Sequence, residues 1–296
     1  MRRKELFSTA DFAAANEGTE SLAINNTFSR RWLTILALKT LGKLHKSDGL
    51  CTPISKDMII KKGYRLHLTE AATMKFVAEN TSILVPKVHC AFVHKGHAYI
   101  LMKRIHGDAV PGAWRRLPES GRQKVFAQLR TMIQELRALK PPDGIGVESC
   151  VGGSLHDSRL RQCNPRHGPF KTLQDFHSWL REGFQPSEVK PHSTCSDSEW
   201  ADLEKMVEMQ DGPWPSPVFT HADLNSCNVL VRGEKVVGII DWEFAGWLPH
   251  YWEYTSTWHG NVTKTDWRDS LHRFLDPPSS DVFEMENTRN LWRGEF

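Results

Sequence analysis

The sequence predicts an α+β protein, with short strands gathered in its first third and longer helices further on. Three observations carry that prediction. Apolar runs of strand length stand at 58–61, 82–88 and 97–102, an amphipathic stretch of helical period covers about 119–139, and two short strands joined by a Gly-containing turn occupy 229–231 and 236–240. In chain order, Asp57-Met58-Ile59-Ile60-Lys61-Lys62-Gly63 reads as the first strand. Thr69 offers an N-cap hydroxyl, and Met74, Phe76 and Val77 help to form the apolar stripe of the helix behind it. Ser82–Val88 and His97–Met102 read as strands. Val125, Leu129, Met132, Ile133, Leu136 and Leu139 recur at helical spacing, and Pro141-Pro142 end that helix. Phe176, Trp179 and Leu180 mark another, entered through Pro169-Phe170. The polar stretch Ser187–Ser198 reads as a loop before a helix around 198–209. Residues 266–275 read as helical until Asp276-Pro277-Pro278 breaks the pattern.

The most informative stretch is 221–243. His221-Ala222-Asp223-Leu224-Asn225-Ser226-Cys227-Asn228 runs into Val229-Leu230-Val231, and Gly238-Ile239-Ile240-Asp241-Trp242-Glu243 comes a few residues later. This is the arrangement H-x-D-x-x-x-x-N…D by which kinases set a base and two metal ligands against ATP phosphates. Each residue type has a job. Asp223 can accept a hydroxyl proton, Asn228 offers magnesium a neutral oxygen, and Asp241 offers it a charged one. Arg232-Gly233-Glu234-Lys235 turns the chain, and a hairpin returns its ends to one place, so Asn228 and Asp241 are expected to lie close together. The plainer alternatives are a capping aspartate at 223, a turn asparagine at 228 and a strand-ending aspartate at 241.

On these residues the chain resembles the aminoglycoside phosphotransferase and choline kinase-like superfamily, most of all its fungal members with an Asp-Trp-Glu-Phe-Ala-Gly-Trp segment. Here that segment is Asp241-Trp242-Glu243-Phe244-Ala245-Gly246-Trp247, with Pro249, Tyr251, Trp252, Glu253 and Tyr254 behind it. The resemblance spans roughly residues 55–260 and implies a bilobal, protein-kinase-like fold. A small antiparallel-sheet N-lobe with an N-terminal helical extension would take 1–103, and a larger, mainly helical C-lobe 104–296. It also implies Lys61, with Lys62 as fallback, as the ATP-binding lysine and Glu70 as its partner. Backbone near Met102 to Arg104 would hold adenine. Asp223 becomes the base, Asn228 and Asp241 the magnesium ligands, and His221 a scaffold whose ring bonds nearby backbone.

The resemblance thus implies an ATP- or GTP-dependent, magnesium-requiring transfer of the γ-phosphoryl group to a hydroxyl of a small metabolite or aminoglycoside-like acceptor. Three positions depart from the family pattern. Ala222 replaces a glycine, which the loop tolerates if its backbone angles stay in the ordinary region. Lys103 stands where an acid is common. The nucleotide-covering loop is reduced to Ser47-Asp48-Gly49-Leu50-Cys51-Thr52-Pro53-Ile54-Ser55, with one glycine. That thin loop motivates the alternative of a catalytically silent or repurposed kinase-fold protein, acting as a binding module or on a hydrophobic metabolite. A protein kinase is disfavoured, because no Ala-Pro-Glu segment stands after Asp241.

Composition bounds the rest. At 296 residues the chain can bury one or two substantial cores, and a net charge of +3 makes no case for nucleic acid. No apolar run approaches a membrane span, so no membrane partner is expected. The basic start Arg2-Arg3-Lys4 lacks the apolar core of a signal peptide. Six scattered cysteines, at 51, 90, 150, 163, 195 and 227 and without a C-x-x-C pair, suit a reducing cytoplasm rather than a disulfide or zinc framework. Cys227 reads as a small buried side chain. Acids among aromatics, such as Glu182, Glu243 and Glu253, would suit an amino or quaternary ammonium alcohol, with Trp247, Trp252 and Trp258 as a candidate cage.

Overall fold

The computed structural model describes residues 18–160, 166–188, 195–261 and 265–293. The basic start and Cys163 lie outside them. Chain order begins with helix α1 (Phe28–Lys39), strands β1 (Cys51–Pro53) and β2 (Met58–Gly63), helix α2 (Thr69–Asn80), and strands β3 (Val88–His94) and β4 (His97–Lys103). Next come β5 (Asp108–Ala109), α3 (Val110–Trp114), α4 (Glu119–Ala138), α5 (Leu173–Leu180) and α6 (Asp197–Asp211). The chain continues through β6 (Val218–Thr220), β7 (Val229–Arg232), β8 (Lys235–Ile239), β9 (Gly246–Leu248), α7 (Trp252–Gly260), α8 (Thr265–Asp269) and α9 (Ser280–Arg293).

The first lobe is an antiparallel sheet in the order β1-β2-β4-β3. Alternation along the strands gives each face its own helix. Ala98, Ile100 and Met102 of β4 join Ala71, Met74 and Val77 of α2 in the main core. Tyr99, with Ile60 and Phe92, points the other way, toward Ile35 and Leu38 of α1. Helix α2 begins one residue earlier than a Thr69 cap would place it. Leu68 is the N-cap, and the Thr69 hydroxyl lies 2.6 Å from His67 Nδ1 instead. The strand expected over 82–88 starts only at Val88, because Ser82 is bound to the Glu135 carboxylate and Pro86 can donate no ladder bond.

The second lobe is helical around two small sheets, β5-β7-β8 and β6-β9. Helix α4 presents Val125, Leu129, Ile133 and Leu136 to the core at the predicted spacing. Capping boxes start α5 at Thr172/Asp175 and α6 at Ser196/Glu199, satisfying backbone donors that a helix end leaves open. Gly107, between β4 and β5, must be glycine on packing grounds: a Cβ there would stand 2.7 Å from Val237 Cγ2. Of the last twenty residues, for which the sequence suggests no role, Ser280–Arg293 form α9, which packs on α6 and holds a fully buried Glu286–Arg289 ion pair.

Candidate active site

Two reversals of chain direction build the site. Strand β6 delivers Thr220 to a loop over 221–228, whose 3-10 turn (Ser226–Asn228) leads into β7. Hairpin β7-β8 then pairs Val229 with Ile239, and Ile240 N–H donates to the Asn228 carbonyl at 3.0 Å. Asn228 and Asp241 therefore sit side by side at the open end of the hairpin, as their spacing predicts.

The loop is held from three sides. His221 Nε2 lies 3.1 Å from the Ile240 carbonyl, and Asp223 N–H donates to its Nδ1 at 3.2 Å. Only the neutral Nε2–H tautomer makes both bonds, and burial holds the imidazole below its usual pKa accordingly. His221 is thus a brace between loop and hairpin. Glu253, buried on α7, accepts from His221 N–H at 2.7 Å and from Ala222 N–H at 3.0 Å. Arg159 donates to the Ala222 carbonyl at 2.6 Å, chelates Asp157, and lays its guanidinium over Phe244 at 4.9 Å.

Ala222 does not keep ordinary backbone angles: its φ is 65°. A non-glycine residue there costs roughly 1 kcal/mol. Glu253 grips its N–H and Arg159 its carbonyl, so the surroundings over-determine the strained residue and the loop survives without glycine.

Asp223 is partly buried, its side chain 23% exposed. Its Oδ2 accepts from Asn228 Nδ2 at 2.8 Å and Asn225 Nδ2 at 3.1 Å, and Arg159 Nη1 approaches Oδ1 at 3.5 Å. Burial raises its pKa above the usual carboxylate value, while Arg159 and the two amides oppose that rise. Because the Asn228 nitrogen is committed to Asp223, its amide oxygen is the atom suited to a cation.

Across the cleft, Lys61 of β2 joins the lobes. Its Nζ stands 2.9 Å from Glu70 Oε2, 2.7 Å from Asp241 Oδ1 and 3.7 Å from Glu243 Oε2. Burial disfavours its charge, but the three carboxylates prevail and hold the ammonium well above its usual pKa. Burial also raises Glu70, and it pushes Glu243 up to about 7 with Asp241 and Glu70 adding to the effect. Ligand oxygens of Glu70, Asp241 and Glu243 lie within 4.8 Å of one another. Asp241 adopts φ 66°, a left-handed conformation that Asp tolerates better than most residues. With the Asn228 oxygen beside it, this hard-oxygen set fits magnesium, and a cation would relieve the crowding that lifts Glu243.

Met102 lies inside the sheet, between Ile59 and Val88, and Arg104 N–H donates to the Asp57 carbonyl at 2.8 Å. The Arg104 N–H is thus engaged within the protein. The segment that the resemblance places over the nucleotide is a tight turn. Asp48 and Cys51 exchange both backbone bonds, at 2.9 and 2.8 Å, with Gly49 at φ 52°. Cys51 pairs with Lys61 across the strands, and burial pushes its thiol up to about 11.

Other readings change. Trp247 and Trp252 are core residues at 1% and 2% exposure, so they form no cage. Glu253 anchors the loop and is unavailable to an acceptor. Cys227 is exposed rather than buried. The sequence does not single out Arg159, Asn225 or Glu253 as parts of this machinery; Asn225 lies inside the motif, but nothing in the sequence near Arg159 marks it.

A sequence model of the phosphotransferase enzyme family matches residues 65–282. An aminoglycoside 3'-phosphotransferase of Niallia circulans is 26% identical over 170 residues, which cover 56% of this chain and 55% of that enzyme, so the match spans about half the relative's length. Among solved structures, a thermostable mutant of aminoglycoside phosphotransferase APH(4)-Ia in its apo form is similar with a TM-score of 0.57, at 17% identity over 83% of both chains. Its ternary complex with ADP and hygromycin B gives 0.59, at 15% identity over 87% of this chain and 88% of that one. These structures share the bilobal kinase-like fold seen here. With the family model covering most of its length, the chain belongs to the phosphotransferase enzyme family.

Proposed function

We propose that this protein transfers the γ-phosphoryl group of ATP to a hydroxyl of a small-molecule acceptor. The observation that carries the proposal is the convergence of Lys61, Glu70 and Asp241 on one side of the cleft with the Asp223–Asn228 pair on the other. In this reading Asp223 orients the acceptor hydroxyl and takes its proton as the oxygen bonds to the γ-phosphorus and the β–γ bridge breaks, releasing ADP. Lys61, positioned by Glu70, leaves Asp241 for the phosphates and offsets their charge. Asn228 and Asp241 hold magnesium, with Glu243 close enough to contribute, and magnesium would supply charge neutralisation across the phosphates. Adenine packs against the hinge between Met102 and Gly107, where the lobes part after Lys103. Positioning and electrostatics supply most of the rate enhancement in such a loose transition state.

The known relatives act on aminoglycosides by name, and an amino-bearing alcohol is the acceptor class we would test first. Fold alone does not assign it. The experiment is acceptor-dependent ADP release across a panel of amino and neutral alcohols, with Asp223→Asn as control. Release that needs both an acceptor and Asp223 supports transfer. Bound ATP without any acceptor-dependent release would favour the binding-module alternative, to which the closed Asp48–Cys51 turn lends its one specific argument.

A further inference from the structure

Helix α1 covers the outer face of the four-stranded sheet and carries an uncovered apolar surface of its own. Inward, Ile35 and Leu38 pack against Ile60, Phe92 and Tyr99. Outward, Phe28, Trp32, Leu33 and Leu36 are 84, 56, 57 and 40% exposed, and Leu41 and Leu44 in the 3-10 turn Leu41–Leu44 are 46 and 77% exposed. A helix apolar on both sides is ordinarily buried, and a clustered apolar surface marks an interaction site.

Charge selects the occupant. Between Phe28 and Ser47 stand Arg30, Arg31, Lys39, Lys43 and Lys46, with no Asp or Glu among them. All but Arg31 are exposed, as are Lys87, just before β3, and Lys103, at the end of β4. Beside the helix a cleft of about 360 Å3 opens between Arg30 and His89, walled by Leu33, Ala37, Met58 and Leu101.

We propose that α1 and the turn after it form a peripheral docking surface for an anionic lipid bilayer. Exposed Trp, Phe and Leu flanked by Lys and Arg are what an interfacial helix needs: apolar side chains to enter the headgroup boundary and cations to meet lipid phosphates. Phe28 and Leu44, at 84 and 77% exposure, project from the surface rather than line a depression, which suits a fluid lipid face better than a shaped protein partner. The cleft offers room for part of an acyl chain beside the Arg30 guanidinium. Docking is peripheral, since among the described residues no helix is long and apolar enough to cross a membrane. It also leaves the proposed active site open, because Lys61 and α2 occupy the opposite face of the sheet.

The test is co-sedimentation of the purified full chain with phosphatidylcholine vesicles, with and without phosphatidylserine. The protein should sediment with the anionic vesicles, release as salt rises, and bind neutral ones weakly. Lys43→Ala with Lys46→Ala should lower partitioning on the order of 25-fold, at roughly fivefold per cation. Trp32→Ala with Leu36→Ala should weaken it several-fold as apolar contact is lost. These four side chains are exposed, so thermal unfolding and its response to nucleotide should not change. No sedimentation with anionic vesicles, or sedimentation indifferent to both pairs, would overturn the proposal. A dimer in light scattering that Trp32→Ala dissociates would assign the face to a second copy instead, and capture of an acidic protein with vesicles left unbound would likewise overturn the lipid reading.

Discussion

Lys61 and Asp241, 180 positions apart in the chain, meet at 2.7 Å and tie the two lobes together across the cleft. Glu70 holds the other side of the same ammonium, so the lysine bridges a carboxylate on each lobe. In the reading proposed here Asp241 is exchanged for phosphate when nucleotide binds, while Glu70 stays. Glu70→Gln should therefore leave Lys61 leaning toward Asp241 and cost roughly 10²-fold in kcat/KM through misplacement. Steady-state kinetics with ATP as the varied substrate would check this, and an unchanged kcat/KM would remove Glu70 from the positioning role.

Asp223→Ala should lower turnover by roughly 10²- to 10⁴-fold, the range for losing a general base, while ATP affinity holds steady. Nucleotide titration beside single-turnover transfer separates the two effects. Retained turnover would mean that another group accepts the proton.

Arg159 opposes the effect of burial on Asp223. Removing it with Arg159→Gln should raise the Asp223 pKa further and move the acidic limb of the kcat/KM profile to higher pH. A uniform fall in rate with an unmoved limb would show that Arg159 serves the loop's shape alone.

Glu253→Ala strands two buried N–H groups, those of His221 and Ala222. At about 1–3 kcal/mol for each unsatisfied donor, the variant should lose about 3 kcal/mol of stability. Denaturant unfolding measures it, and a loss under about 1 kcal/mol would mean that the loop finds other acceptors.

Glu243 gives a pH dependence whose sign is set by its raised pKa. The folded protein holds the proton up to about 7, whereas the unfolded chain releases it near the ordinary value of 4.5. Stability from this group is therefore complete at low pH and falls as pH rises through about 7. Because the carboxylate is about one-third exposed, solvent screening reduces the effect to roughly 1 kcal/mol. Glu243→Gln should raise Tm by a few degrees above that pH and change little at acidic pH. Magnesium should stabilise the parent protein more as pH rises through the same window.

Much of the site is legible in the sequence because its core is local. Asp223, Asn228 and Asp241 are set by a loop and one hairpin, whose spacing a linear reading can track. Lys61 and Glu70 lie on adjacent elements and are readable by resemblance. The roles of Arg159 and Glu253 are not, since they reach Ala222 from 63 and 31 positions away, and the family segment that carries Glu253 marks the residue without its contact. The left-handed angle of Ala222 is also hidden, because it depends on those distant grips. At the hinge, the Asp57 carbonyl captures the Arg104 donor, a pairing decided by how β2 and β4 end. Strand positions fail where side chains displace the ladder, as at Ser82, while helices with clean periodicity such as α4 read nearly to the residue.

The most direct test is thermal unfolding with ATP or GTP, with and without magnesium, in the parent protein and in Asp241→Asn. Asparagine suits the left-handed backbone at 241 while removing the charge. The phosphotransferase reading predicts a nucleotide-dependent rise in Tm that requires magnesium and is lost in the variant. No rise with either nucleotide at saturating concentration, or an equal rise in Asp241→Asn, would contradict it.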